Sequence, residues 1–288
     1  MYLKSLMISK PGSSTSTGSV SCTTRIKPSE RATEVLKKAV IYDDELMVSV
    51  ALALGADPCT TDWVEDIRES YCLLSIATIN GNAYLIPLLV AAGAPVDGLE
   101  TTLHRPIHLS TISRRREHVL RALLAAGANV EAKNFQGWTA LHMAAHLGNE
   151  PCLETLLDAN ADINSKGRYE VQPLHRAAVS NNIGVVKQLL RRELCDRHAV
   201  DDSLGTALHH AALNGCLGVT QHLVEAGLDP NAKDKLGQTP LDFAKLAGHE
   251  PVEWWLRKLP GHGPAAEKPT PELMKIYWIN CEQLMREY

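Results

Sequence analysis

Histidine is where the chemistry of this chain must be sought first, because imidazole binds metals and moves protons near neutral pH. The 288 residues include 12 histidines. Four of them, His108, His142, His175 and His209, each follow a Leu or Ile at nearly equal intervals, and His142 stands four residues before His146. That last spacing puts two imidazoles on one helix face, as in zinc-binding helices, but Met143 occupies the place of the glutamate that serves such sites as general base. The ladder of four falls on equivalent positions of successive segments. Packed helices lie about 8–10 Å apart while Zn–N bonds are about 2 Å, so ladder neighbours cannot readily share an ion. Asp201, Ser203 and His209 are near one another in sequence, yet nothing fixes them as orienter, nucleophile and base. Neither a G-x-S-x-G elbow nor a G-x-x-x-x-G-K-[ST] phosphate loop occurs. The expectation is a protein with no metal, no cofactor and no catalysis.

The other reactive side chains point the same way. Seven cysteines, at positions 22, 59, 72, 152, 195, 216 and 281, are odd in number and form no C-x-x-C pair. Several sit in apolar text, as in Pro151-Cys152-Leu153 and Gly215-Cys216-Leu217, where Cys acts as a small hydrophobe. A reducing, intracellular location, cytoplasmic or nuclear, is expected. The run Arg114-Arg115-Arg116, with Arg105 and Arg121 nearby, reads first as a solvated face and second as a contact for an acidic or phosphorylated partner. A formal net charge of −4 argues against direct nucleic-acid binding. No apolar run is long enough to span a membrane, and Met1–Ile8 is too weakly apolar for a signal peptide. Residues 1–29 lack acidic side chains and are rich in Ser and Thr, a composition shared with mitochondrial presequences, but Pro11-Gly12 and sparse Arg favour a flexible tail.

A repeating element must hold these groups. Leu141-His142, Leu174-His175 and Leu208-His209 recur in weaker form as Leu74-Ser75, Ile107-His108 and Leu241-Asp242, in steps of 33, 34, 33, 34 and 33 residues. So strict a period means stacked copies of one small unit, each burying its apolar face against the next. In the clearest copy Thr139 can cap a first helix, Gly148 suits its left-handed exit, and Pro151 starts a second. Gly93-Ala94, Gly127-Ala128 and Gly227-Leu228 mark unit boundaries. A first pair of helices, about 31–41 and 43–54, carries Lys37-Lys38 as a polar N-terminal cap would. The step from Leu36 to Leu74 is 38, which predicts an insertion of about five residues near Trp63–Glu69. Arg257 stands where an earlier unit has Leu157, a charge that ends the array. Past Pro260–Pro264, residues 271–288 predict an amphipathic helix with Leu273, Ile276, Tyr277, Cys281 and Leu284 on one stripe, and a second apolar set of Met274, Trp278 and Met285. Three regions result: a disordered Ser/Thr-rich tail (1–29), a repeat array of about six to seven units including caps (30–260), and a linker with a C-terminal amphipathic helix (261–288).

The segments Gln238-Thr239-Pro240-Leu241, Thr139-Ala140-Leu141-His142-Met143-Ala144 and Gly205-Thr206-Ala207-Leu208-His209 resemble the T-P-L-H-x-A signature of the ankyrin-repeat family over about residues 31–260. The resemblance implies an all-α ankyrin-repeat solenoid of stacked helix-turn-helix units with β-turn fingers, in which the ladder histidines brace backbone groups between turns and helices. It also implies a non-enzymatic protein–protein interaction module: a monomeric intracellular adaptor or regulator holding a segment of an unknown protein partner in its concave groove. A transcription co-regulator is the alternative within that class. The rival outside it is a scaffold recruited as an enzyme or small-ligand binder through His146, Arg176 and His210. In such arrays the first helices and turn tips line the groove. One row there reads Ile76, Leu109, Met143, Arg176, His210 and Phe243; a second reads Ile79, Ile112, His146, Val179, Leu213 and Leu246. So apolar a row is expected either to be an exposed interaction stripe or to be covered by the fingers or by the 271–288 helix. The candidate partner-binding residues are Ile76, Ile79, Leu109, Ile112, Met143, Leu147, Arg176, His210 and Phe243 on the helices, with Phe135, Arg168 and Tyr169 on the finger tips. Aromatic and Arg tips are the expected anchors. Asn164 and Asn231, each with Leu at −8 and Asp at −2, also resemble asparaginyl hydroxylation sites of animal ankyrin proteins, although an Asn bonding its own turn is the simpler reading.

Overall fold

Helices of seven to nine residues are too short to persist alone in water, so this chain's secondary structure exists only through packing. The computed structural model describes residues 28–64, 69–98, 105–112 and 117–259. The N-terminal tail up to residue 27, Arg114–Arg116 and the segment 261–288 lie outside the described residues. Among those described, fourteen α-helices follow in pairs: α1 (Pro28–Tyr42) and α2 (Glu45–Ala53), α3 (Leu73–Asn80) and α4 (Leu85–Ala91), α5 (Pro106–Ser110) and α6 (Glu117–Ala125), α7 (Ala140–Leu147) and α8 (Glu150–Asp158), α9 (Pro173–Val179) and α10 (Ile183–Arg191), α11 (Ala207–Leu213) and α12 (Leu217–Glu225), α13 (Pro240–Ala247) and α14 (Glu250–Arg257).

The signals that punctuate α7 and α8 act as expected. Thr139 enters α7 with extended backbone, and Gly148 leaves it in the left-handed region at φ 66°, where a β-carbon would be strained. The Asn149 side chain then caps α8 by accepting the Cys152 N–H (3.3 Å) and donates to the Thr111 carbonyl of the preceding unit (2.7 Å). One residue thereby ends a helix pair and fastens it to its neighbour.

First helices stack in series, α1 on α3, α5, α7, α9, α11 and α13, and second helices stack behind them from α2 to α14. One apolar core runs from Leu36 through Leu74, Leu120, Leu141, Leu153, Leu189 and Leu208 to Leu228; the last unit forms an adjoining cluster around Leu241, Phe243, Val252 and Leu256. This is the all-α solenoid of paired helices that the resemblance implied, with the stacking expected from the period.

Two local features differ from the sequence reading. The insertion is a hairpin: β1 (Thr61–Val64) pairs antiparallel with β2 (Glu69–Cys72), Thr61 opposite Cys72 and Val64 opposite Glu69. The N-terminal unit is also only half a polar cap: α1 exposes Arg31, Glu34 and Lys38, whereas α2 is apolar on its outer side. Val48 and Ala51 of α2 face the core, so Leu46, Val50 and, just past the helix, Leu54, four residues apart, come out on the outer side; Leu46 is 72% and Leu54 67% exposed. At the other end Arg257 pairs with Glu253 on the surface, beside an exposed Trp254 whose ring lies 3.5 Å from the Lys258 ammonium.

Candidate partner-binding face

The histidine ladder is structural hardware. His142 Nδ1 accepts the Thr139 N–H (3.2 Å), which leaves the proton on Nε2 to be donated to the Val171 carbonyl of the next finger (2.9 Å). His175 repeats this with Gln172 N–H (3.1 Å) and the Ala199 carbonyl (3.2 Å), and His209 with Thr206 N–H (3.1 Å) and the Gln238 carbonyl (3.1 Å). His108 Nε2 bonds the Trp138 carbonyl (2.9 Å). His142, His175 and His209 each use both edges in the neutral form, a role closed to His⁺ because the charged ring has no acceptor. Burial accordingly pushes His142 down to about 3, against only partial compensation from its bond to Val171. Both nitrogens of His142 are engaged in these bonds and His146 Nδ1 meets Arg176 and Ser180, so the pair at i, i+4 does not converge on one point. Among the described residues no group of three or more His, Cys, Asp or Glu could hold a metal ion.

The fingers that receive these bonds are built on a side-chain acceptor at their base. Asn134 Oδ1 accepts the N–H of Gln136 (3.0 Å) and Trp138 (2.9 Å); Asp201 Oδ1 accepts Ser203 and Gly205 (both 2.8 Å); Asp234 Oδ1 accepts Leu236 (2.9 Å) and Gln238 (2.8 Å). Asp201 Oδ2 is held by His210 Nε2 at 2.9 Å. Asp201, Ser203 and His209 are thus committed to turns. In the remaining finger Gly167 takes the acceptor's place, because a β-carbon there would lie 3.1 Å from Trp138 and 3.3 Å from His142 Nε2. Fingers also bond each other, Asp202 N–H to the Tyr169 carbonyl (3.0 Å), Lys235 N–H to the Ser203 carbonyl (2.9 Å) and Lys133 Nζ to the Lys166 carbonyl (2.9 Å). The result is a ledge of coupled turns along one edge of the first-helix layer.

The twelve candidate residues divide sharply by exposure. Ile76, Ile79 and Leu109 are buried within the continuous core, with Ile112 half-buried against it. Met143, Arg176 and Phe243 are buried too, at 2%, 1% and 3% exposure, and His210 is half-buried against Asp201. Leu147, Phe135 and Arg168 are exposed, and Tyr169 half-exposed beneath the Arg168 guanidinium, 5.1 Å from its ring centroid. Of the two outcomes expected for this row, an exposed stripe or a covered one, the exposed stripe is therefore corrected: helical spacing puts these side chains on one face, but all of them except Leu147 are buried or half-buried. Phe243 stands edge-on to the His209 ring at 5.3 Å.

One central member went unread in the sequence. Trp138, wholly buried, stacks under the Arg176 guanidinium at 3.9 Å, and Arg176 Nη2 reaches His146 Nδ1 at 3.3 Å. Burial, helped by the Arg176 charge, drives His146 down to about 3 and keeps it neutral. The available signal was the large aromatic directly after Gly137 at a finger base; a finger residue is normally taken as exposed. The Asn164 side chain bonds the following turn and not its own, accepting Asp196 N–H (2.8 Å) and donating to the Leu194 carbonyl (2.7 Å), while its own turn is closed by its backbone N–H on Asp162 Oδ1 (2.9 Å). Burial raises the Cys152 thiol to about 12 and Cys195 and Cys216 to about 11, which suits packing and not reaction. No described helix is long and apolar enough to cross a membrane.

A family model for ankyrin repeats, spanning three copies, matches residues 74–167 and again 174–263. Among curated relatives, the tyrosine-protein kinase Shark of Drosophila melanogaster is 36% identical over 160 residues, 55% of this chain and 16% of that protein. The B-cell lymphoma 3 protein homolog of Mus musculus is 33% identical over 180 residues, 60% of this chain and 39% of that protein. Alpha-latrotoxin-Lg1a of Latrodectus geometricus is 33% identical over 141 residues, 48% of this chain and 10% of that protein. The match covers well under half the length of each of these relatives.

Proposed function

Because this chain belongs to the ankyrin-repeat family, whose repeats are in general protein–protein interaction modules, we propose that it is a non-catalytic adaptor or regulator that binds a segment of another protein along its concave, finger-bearing face. The observation that carries this reading is the ledge itself: turns bonded to each other present Phe135, Arg168 and Tyr169 at their tips, and Leu147, at the C-terminal end of α7, is the exposed apolar residue of the first-helix row. A preformed surface of this kind loses little freedom on association, and aromatic and Arg tips are the side chains that anchor interfaces. The relatives named above are a kinase, a toxin and a lymphoma-linked protein, so the surface side chains, not the scaffold, must select the partner. The regulator reading draws on the likeness to the B-cell lymphoma 3 homolog. Monomeric, intracellular action is part of the proposal.

The test is affinity capture with wild-type, Phe135→Ala, Arg168→Ala and Leu147→Asp baits, compared by quantitative mass spectrometry and accompanied by thermal melts. A specific partner should fall about tenfold or more with at least one variant, as for loss of an interface anchor, while the melting temperatures stay together. A set of captured proteins unchanged by all three substitutions would overturn the assignment of this face.

A further inference from the structure

The deepest part of the concave side raises a separate question. Trp138 and Met143 are buried, yet neither belongs to the continuous core between the helix layers. With Arg176 and Phe243 they mark a line along the first helices from α7 to α13, with members at α7, α9 and α13 and the half-buried His210 at the same position of α11. Trp138, Met143 and Arg176, a cation stacked on an indole among them, are out of water without belonging to either apolar cluster, and Phe243 continues the line at the edge of the last unit's cluster.

The chain carries a segment that fits this line. Residues 271–288 carry an apolar stripe at helical spacing, Leu273, Ile276, Tyr277, Cys281 and Leu284, with Met274, Trp278 and Met285 beside it. Eighteen residues of helix measure about 27 Å, and the three steps from α13 to α7 span about 24–30 Å at ordinary helix spacing. Residues 260–270 can reach about 36 Å when extended, ample to pass from the end of α14 to the front of α13. Charge agrees as well: Glu282 falls four residues after Trp278 and three before Met285, inside the second apolar set, and complements the Arg176 guanidinium.

We propose that segment 271–288 docks in cis as a helix across α7, α9, α11 and α13, seated on Trp138, Met143, Arg176 and Phe243. Tethering makes this occupant intramolecular, so modest affinity suffices to keep the line covered. An outside protein reaching that part of the groove has to displace the segment, whereas the finger tips stay accessible. The inference does not rest on the external-partner reading above.

The test uses the full chain and two measurements. Alkylation of Cys281 by a maleimide, followed by mass spectrometry, should be at least about tenfold slower in the native chain than in the unfolded one. In an Ile276→Asp/Leu284→Asp double variant it should rise towards the unfolded rate, while thermal melting remains cooperative. In parallel, a photo-crosslinking benzoylphenylalanine at position 277 should form intramolecular links to residues of α7, α9, α11 or α13. Cys281 reacting in the native chain at its unfolded rate would overturn the proposal. So would links that join two molecules or land on α2, α4 or another second helix.

Discussion

At the residue scale, a single side chain type decides how the units are joined. His142, His175 and His209 each tie the start of their own helix to the carbonyl of the following finger, and only the neutral ring can do both. Removing one should cost about 2–4 kcal/mol, from two lost bonds plus the space left behind; His142→Ala, followed by urea denaturation, checks this. The burial of these rings also sets a pH dependence. His142 and His146 are held down to about 3, and His175 and His209 are lowered, each chiefly by burial. Their folded forms therefore refuse a proton that the unfolded chain accepts below about 6.5. Stability is fully present above that pH and should decline as pH falls towards about 3, read as a falling urea midpoint; a flat profile from pH 7 to 4 would contradict the ladder's neutral state. Asp201 is the corresponding anchor for its finger, and Asp201→Asn, which keeps the shape and one acceptor oxygen but loses the charge facing His210, should be milder than Asp201→Ala in the same assay.

At the scale of elements, each helix pair is stable only as part of the pile. Leu153 of α8 is fully buried between the second helices, so Leu153→Ala should cost about 2–5 kcal/mol. Leu46 of α2 is as apolar but 72% exposed, and Leu46→Lys should stay within about 0.5 kcal/mol of wild type. Comparing their denaturation midpoints tests the placement of the two helices directly. The contrast also shows what periodicity can convey. Spacing puts Leu46 and Val50 on one side of a helix, but which side meets a neighbour depends on whether another unit lies there.

For the whole molecule, a row of units touching only their neighbours should not lose structure uniformly. The last unit has a small adjoining cluster of its own, with Leu256 and Val252 at its centre. Val252→Ala should therefore speed amide exchange in α13 and α14 far more than in α3 and α4, measured by hydrogen exchange with mass spectrometry. Equal loss across the chain would mean a single cooperative body instead.

Much of this was legible in the residues. The interval between Leu-His pairs gives the order of the units and a count of about six to seven; Gly148 and Pro151 locate a turn; and the 38-residue step from Leu36 to Leu74 locates the inserted hairpin. Those features are local, since each depends on backbone preferences within a few residues. The candidate site was legible only in part. Phe135 and Arg168 at the tips are exposed as expected, but Ile76, Leu109, Met143, Arg176 and Phe243 are not, and Trp138 was passed over.

The chain's order of residues alone determined a stack of paired helices with bonded turns along one edge, because repetition at a constant interval leaves a chain no other way to bury its leucines. Only the tertiary structure decided which side chains of the first helices reach water. Exposure is a property of what lies opposite, and the partner of Arg176 in space, the Trp138 ring, is 38 residues away in sequence.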